Sequence, residues 1–149
     1  MGSCGSLDPN VGVGSTVTPY AACAITSNYD YFTRDDNAND NNNDDNNDNG
    51  NKIDEPYFIS KPVKSDIELH DALYNNMNKL YQSSNSNDGV CLGDTINASA
   101  DSFYSSQGRI DPSFLDSNES LLQSIAEKVP GVTTLEVSDG FSEKNEWNF

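Results

Sequence analysis

A run of aspartate and asparagine constrains this chain more than any other feature. Nearly every residue from Asp35 to Asn51 is Asp or Asn, in the order DDNANDNNNDDNNDNGN. Such a run offers no apolar side chains to a core, and its carboxylates repel one another. We therefore expect a disordered spacer over 35–51. It divides the chain into an N-terminal segment, 1–34, and a partly helical interaction region, 52–149.

The composition of the whole chain favours disorder as well. The 149 residues are 34% hydrophobic and carry a formal net charge of -16. Chains of this kind bury too little apolar surface to offset the loss of chain entropy on folding. The expected fold class is therefore a mostly disordered or extended chain with two amphipathic α-helices and short β segments. A small α+β domain is the alternative.

Two stretches carry apolar residues at helical spacing. The first is predicted over about 65–83, where Ser65 and Glu68 have the spacing of a capping box. The second is predicted over about 117–129. The apolar stripes of the two helices consist of Leu69, Leu73, Met77 and Leu80, and of Leu121, Leu122, Ile125 and Val129. We expect these side chains to dock on partner proteins. Packing into a small internal core is the alternative.

The first six residues, MGSCGS, match a lipidation motif. N-myristoylation requires glycine after the initiator methionine and favours serine or threonine at position six, as Gly2 and Ser6 provide. One myristoyl chain binds membranes only weakly, so stable attachment needs a second signal. No basic patch supplies that signal, and Cys4 is therefore predicted to be palmitoylated. The segment 1–34 would hold the protein peripherally on the cytosolic face of a membrane, where it acts as an adaptor or structural protein.

The charge pattern argues against nucleic acid as a partner. The eight basic residues are scattered, and no two are adjacent, whereas phosphate backbones are bound by clustered Lys and Arg. The calcium-loop pattern begins at Asp45 but fails at its twelfth position, which is Pro56 instead of Glu. The three cysteines have no metal-site spacing. No metal and no cofactor are expected.

Catalytic motifs are absent as well. His70 is the only histidine, and it falls within the first predicted helix with no nucleophile motif around it. A short strand is predicted over 89–97, and the stretch ASADSFYSSQGRIDP after it is polar and turn-rich. We therefore expect a non-enzymatic protein with no catalytic residue.

The C-terminal region resembles the membrane-anchor subunits of the late endosomal/lysosomal adaptor complex, Ragulator. These subunits begin with Met-Gly and nearby cysteines, followed by an acidic stretch and a helix of the form E-x-L-L-x-x-I-x-x-K-T. The matching residues are Glu119, Leu121, Leu122, Ile125 and Lys128, followed by Leu135-Glu136-Val137-Ser138. Pro130-Gly131 interrupts the pattern. The resemblance implies an extended scaffold that ties small α/β subunits to a lysosomal or vacuolar membrane.

Overall fold

The computed structural model describes residues 2–33, 55–83 and 89–137. The predicted spacer over 35–51 lies outside them. The strands are β1 (Gly5–Ser6), β2 (Thr16–Val17), β3 (Ala21–Ser27), β4 (Tyr57–Ile59), β5 (Val63–Lys64), β6 (Cys91–Leu92), β7 (Ile96–Ala100) and β8 (Val132–Val137). The helices are α1 (Tyr29–Phe32), α2 (Ile67–Ser83) and α3 (Leu121–Lys128), and a 3₁₀ turn covers Ser105–Gln107.

Six strands form one mixed sheet in the order β1-β8-β7-β3-β4, with β5 also paired to β3. The central strands β3, β7 and β8 are parallel, whereas β1, β4 and β5 pair antiparallel at the edges. Every second residue of the first part of β3 is buried, which is the pattern of a strand with one face in the core. β2 and β6 form a separate two-stranded parallel pair.

The core lies between one face of the sheet and α3. Its members combine small residues on β3 and β7 with larger residues around them: Ala21, Cys23, Ile25, Tyr57, Ile96, Ala98, Ala100, Leu121, Ile125, Val129 and Leu135. Small side chains on β3 and β7 let the helix approach the sheet closely, so few large apolar residues are needed to fill the space at normal packing density.

The expectation of a mostly disordered chain with two helices is therefore wrong. The described residues form a six-stranded mixed sheet, a separate two-stranded pair and three helices. Average composition is misleading for two reasons. The Asp/Asn run lowers the mean apolar content of the whole chain, and the strands are rich in alanine, serine and threonine, which are weak signals of burial.

The second predicted helix begins later than expected, at Leu121 instead of about 117. Ser117 has a φ of 48°, a left-handed conformation that does not continue an α-helix. The buried amide of Asn118 donates hydrogen bonds to the carbonyls of Ser105 (3.0 Å) and Arg109 (2.9 Å). These residues therefore anchor a loop instead of forming the first turn of α3.

The first predicted helix forms as α2, and Asp66 rather than Ser65 caps it. The Asp66 carboxylate accepts a hydrogen bond from the backbone N–H of Leu69 at 2.9 Å. The hydroxyl of Ser65 donates instead to the carbonyl of Tyr20. No residue of α2 is buried, which is unusual for a helix with an apolar stripe.

Polar and aromatic side chains, not the leucines, hold α2 against β2 and β6. The Nε2 of His70 lies 3.0 Å from the carbonyl of Thr18 and 2.9 Å from that of Gly93. Tyr74 stacks on His70, and its ring occupies the space beside Gly93 so closely that a Cβ at this position would lie 2.7 Å from the ring. Tyr81 donates to the carbonyl of Gly14 at 2.7 Å.

The second face of the sheet is exposed at β3 but buried farther along, where Asn97 of β7 and Thr134 of β8 are 7% and 2% exposed. On β3, Ala22, Ala24 and Thr26 are exposed on this face. Parallel strands are normally covered on both faces, so this surface is incompletely packed within the described residues. Among those residues, no helix combines the length and the apolar character needed to cross a bilayer.

Candidate functional site

The carboxyl ends of β3, β7 and β8 lie side by side at one edge of the sheet. In the parallel register, Ile25 pairs with Ala100, and Ala100 pairs with Val137. In open sheets with parallel strands, ligands bind in the crevice outside these carboxyl ends. The loop that follows β7 therefore lies where ligands bind in such sheets.

Asp101, the first residue after β7, ties this edge together. Its carboxylate accepts hydrogen bonds from the backbone N–H of Ser27 at 2.7 Å and from the hydroxyl of Ser106 at 2.5 Å. Ser106 is fully buried, and its hydroxyl also hydrogen-bonds with Ser102 at 2.8 Å. The Asp101 carboxylate therefore joins the end of β3 to the 3₁₀ turn.

An aromatic and cationic surface lies on the same loop. The guanidinium of Arg109 lies 4.3 Å from the centroid of the Phe103 ring. Tyr104 meets Phe103 edge to face, with centroids 5.1 Å apart. Both aromatic rings are about half exposed, whereas Gln107 beside them is largely buried. The loop therefore offers an aromatic face, a guanidinium and a side-chain amide within seven residues.

One glycine and four hydrogen bonds fix the shape of this loop. Gly108 has a φ of 68°, and a side chain there would also press on Leu122 at 3.0 Å. The hydroxyl of Tyr57 donates to the carbonyl of Asp116 at 2.6 Å and hydrogen-bonds with Ser105 at 2.7 Å. Burial raises the pKa of Tyr57, so its phenol stays protonated and remains a donor. With the two hydrogen bonds from Asn118, these contacts preorganise the loop.

A second polar group lies near the end of β8. Glu136 accepts a hydrogen bond from the amide of Asn97 at 2.7 Å, and Asn97 accepts one from Thr134 at 2.8 Å. Because β1 is antiparallel to β8 with Gly5 opposite Leu135, the preceding residue, Cys4, lies beside this group. Partial burial raises the pKa of the Cys4 thiol, and the charge of Glu136 raises it further. The thiol is therefore mainly protonated at neutral pH.

The arrangement is suited to binding a planar polar molecule. An aromatic ring can stack on a heterocycle, a guanidinium donates hydrogen bonds to carbonyl oxygens, and an amide both donates and accepts. Within 2–33, 55–83 and 89–137, no group of three His, Cys, Asp or Glu side chains could hold a metal ion.

The structure distributes the residues predicted from sequence over three places. Gly2, Cys4 and Ser6 lie on the exposed strand β1 or just before it. Three of the proposed docking residues, Leu121, Ile125 and Val129, are buried in the chain's own core, so this part of the docking prediction is wrong. Exposed or half-exposed positions are occupied by the remaining docking residues: Leu69, Leu73, Met77, Leu80 and Leu122.

Other predictions are not tested by the structure. Acylation of Gly2 and Cys4 stays a prediction, and so does attachment to a membrane. The division of the chain into 1–34, 35–51 and 52–149 also stays a prediction, although β3 from the first part and β7 from the last are neighbours in one sheet.

Sequence reasoning misses the loop after β7. The stretch looks polar and turn-rich, yet it carries the aromatic pair Phe103-Tyr104 followed closely by Gln107 and Arg109. Exposed aromatic residues next to an arginine on a loop are typical of binding sites rather than of connecting turns. The strand predicted over 89–97 ends three residues before the end of β7, so the sequence does not show that this loop directly follows a strand.

Comparison with known proteins identifies a relative by structure only. No family model matches the sequence, and no curated protein does so either. Among solved structures, a uridine phosphorylase from the oomycete Phytophthora capsici matches with a TM-score of 0.70 and 28% sequence identity. The match covers 92% of this chain and 46% of the other, so the chain spans about half the length of that protein.

The match and the strand pairing together correct three predictions. The prediction of a lipid-anchored adaptor is wrong, because the structure resembles a uridine phosphorylase. The expectation of a non-enzymatic protein is wrong for the same reason. The Ragulator-like scaffold fails as well, because Leu135 and Val137 are part of a strand in the parallel centre of the sheet rather than of an extended segment. The fold of the chain is similar to that of a nucleoside phosphorylase.

Proposed function

We propose that the loop after β7, together with Glu136 of β8, binds a nucleoside and that the protein takes part in phosphorolysis of its glycosidic bond. The observation that carries the proposal is the stacking of Arg109 on Phe103, next to Gln107, at the carboxyl ends of parallel strands. The structural match to a uridine phosphorylase supports a pyrimidine nucleoside as the substrate class.

The chemistry of uracil fits these side chains. Its ring presents two carbonyl oxygens and one N–H on its edge, so Arg109 can donate to a carbonyl while the Gln107 amide pairs with the N–H and the other carbonyl. Phe103 provides a face on which the ring can stack. Glu136 is an acceptor for ribose hydroxyls, and Asn97 already orients its carboxylate.

The proposed reaction exchanges one bond for another at the anomeric carbon of ribose. A phosphate oxygen forms a bond to this carbon, the bond to the ring nitrogen breaks, and the electron pair leaves with the base. The base then takes up a proton, which gives uracil and ribose 1-phosphate. Donors to the uracil carbonyls, such as Arg109, stabilise the charge that develops on the leaving base.

Of the two substrates, phosphate needs more cationic side chains for its binding. The basic side chains of the described residues are Lys61, Lys64, Lys79, Arg109 and Lys128. Lys128 forms an ion pair with Glu55, and Lys61 and Lys64 lie near or on β5 at the sheet edge. Nucleoside binding and phosphorolysis therefore need separate measurements.

The test compares two cation-to-alanine variants of the full chain. Uridine binding is measured by calorimetry, and release of uracil in the presence of phosphate is followed by absorbance. Arg109→Ala should weaken uridine binding by about tenfold or more, because a charge-assisted hydrogen bond contributes about 1.5–3 kcal/mol. The matched control, Lys64→Ala, should leave binding unchanged.

Two outcomes would contradict the proposal. The first is a wild-type protein that does not bind uridine at millimolar concentration. The second is equal binding by Arg109→Ala and wild type. Binding without release of uracil would confine the proposal to nucleoside recognition and would exclude phosphorolysis by this chain alone.

A further inference from the structure

The apolar stripe of α2 is a surface that the proposed function leaves unexplained. Leu69, Leu73 and Leu80 are 60%, 51% and 61% exposed. The helix does not need these residues to stay attached, because His70, Tyr74 and Tyr81 on its other side make the contacts to β2 and β6. A row of half-exposed leucines on a folded protein marks an interaction surface.

The stripe continues into an apolar groove. Leu69, Leu73 and Met77 form one wall of an open cavity of about 740 Å³, the loop from Val11 to Thr18 forms much of the opposite wall, and Cys4 and Thr134 also line it. Val13 on this loop is fully exposed. The surface available to an occupant is therefore a leucine ridge with an adjoining groove, which has the shape that accepts an amphipathic helix.

We propose that the occupant is α2 of a second copy of this chain, packed antiparallel about a two-fold axis near Tyr74. The charges of α2 support this choice. Glu68 and Lys79 are eleven residues apart, about three helical turns, so both lie on one flank of the stripe. In an antiparallel pair the same flanks of the two helices meet, which places Glu68 of each copy opposite Lys79 of the other. In a parallel pair each flank meets the opposite flank of the partner, so Glu68 and Lys79 would not be paired.

The positions of the leucines along α2 are consistent with the same two-fold axis. Leu69 of one copy faces Leu80 of the other, and the two copies of Leu73 meet near the axis. Within Ile67–Ser83 the charged side chains other than histidine are Glu68, Asp71 and Lys79, so the face is close to neutral although the whole chain carries -16. Self-association through α2 therefore brings little like charge into contact.

The size of the surface predicts a weak dimer. A helix of 17 residues is about 25 Å long, so its ridge alone covers less than the roughly 800 Å² per partner of a stable interface. The groove walls add area, and the expected association is concentration-dependent, with a dissociation constant in the micromolar range.

The first experiment is sedimentation velocity of the full chain from about 5 to about 500 µM protein in about 0.15 M salt. This salt concentration screens the repulsion between two negatively charged copies of the chain. We expect a monomer–dimer equilibrium within this range. Leu73→Asp should leave only monomer, with unchanged far-ultraviolet circular dichroism, since Leu73 is exposed. The matched control is Leu115→Asp, at a position 96% exposed outside the stripe, which should dimerise like wild type.

The second experiment tests the orientation of the pair. Glu68→Lys and Lys79→Glu each place like charges opposite one another twice and should weaken the dimer. The double variant restores opposite charges and should recover the wild-type dissociation constant.

Three outcomes would overturn the proposal. One is a monomer at every concentration. Another is a dimer that Leu73→Asp leaves intact. The third is that the rest of the same chain already covers the stripe. In that case Leu73→Asp would lower the thermal stability of the monomer. None of these readouts involves uridine, so failure here is distinguishable from failure of the proposed function.

Discussion

Asp101 shows how one side chain links the fold to the site. Its carboxylate accepts hydrogen bonds from Ser27 at the end of β3 and from Ser106 in the 3₁₀ turn. Ser106 is fully buried and Ser27 is half-buried, so neither can exchange its hydrogen bond freely for water. The loop that carries Phe103 and Arg109 begins directly after this residue. Its position therefore depends on the carboxylate.

Asp101→Ala should destabilise the protein by about 2–3 kcal/mol, because the substitution leaves a buried hydroxyl and a backbone N–H without their charged acceptor. The measurement is the free energy of unfolding from urea titration. Asp111→Ala is the control, since the hydrogen bond of Asp111 to Ser113 is exposed and its loss should have an effect below about 1 kcal/mol. Equal losses in the two variants would show that the Asp101 network does not stabilise the fold.

At the scale of elements, α2 and α3 use their apolar residues in opposite ways. The stripe of α3 faces the sheet, and Ile125 is 1% exposed. The stripe of α2 faces outward, and a histidine and two tyrosines attach the helix. The two sequence patterns are alike, so the difference arises from the surface on which each helix lies.

Ile125→Ala should lower the free energy of unfolding by about 2–5 kcal/mol, because it leaves a cavity between α3 and the sheet. Leu122→Ala, on the outer side of the same helix and 43% exposed, is the matched control. Both changes introduce alanine into α3, so helix propensity has little influence on the difference. A similar loss in both variants would contradict the assignment of Ile125 to the core.

His70 should make the docking of α2 dependent on pH. The hydrogen bond with Asp71 is the main cause that raises the pKa of His70 above its ordinary value of 6.5, although burial opposes it. A raised pKa means that the protonated form stabilises the fold. That contribution is complete below about pH 6.5 and is lost as the pH rises through the higher pKa of the folded state.

Because His70 is the only histidine, its proton resonances can be followed without assignment. An NMR titration should give a higher pKa in the folded protein than in urea. Asp71→Asn should bring the two values closer together and flatten the dependence of stability on pH. A folded pKa at or below the unfolded value would contradict the role of Asp71.

At the scale of the whole molecule, one face of the sheet is packed and the other is only partly covered. The packed face holds the core with α3. The second face exposes Ala22, Ala24 and Thr26 on β3, whereas Asn97 on the same side is buried and donates a hydrogen bond to Glu136. The chain aligns with 46% of a uridine phosphorylase. The groove of the dimer proposal is also lined by Cys4 and Thr134, which lie beside the Glu136 group of the nucleoside proposal, so the two proposals concern adjoining surfaces.

Local sequence is enough to place α2 within two residues and to identify the apolar residues of α3. The reason is that helical periodicity is set by contacts three and four residues apart, which a sequence displays directly. The motif at Gly2, Cys4 and Ser6 is also local, but the fold does not test whether these residues are acylated.

The sheet and the candidate site depend on tertiary structure. β3 reads AACAITS, and alanine is a poor strand former, so nothing local marks it as the central strand. It forms because Ala21 pairs with Ile96 and because Ile96 pairs in turn with Val132. Ser27 likewise meets Asp101 only through this pairing, 74 residues away along the chain. Such contacts are set by the burial of distant segments against one another, and for this reason the fold and the site emerge only from the three-dimensional structure.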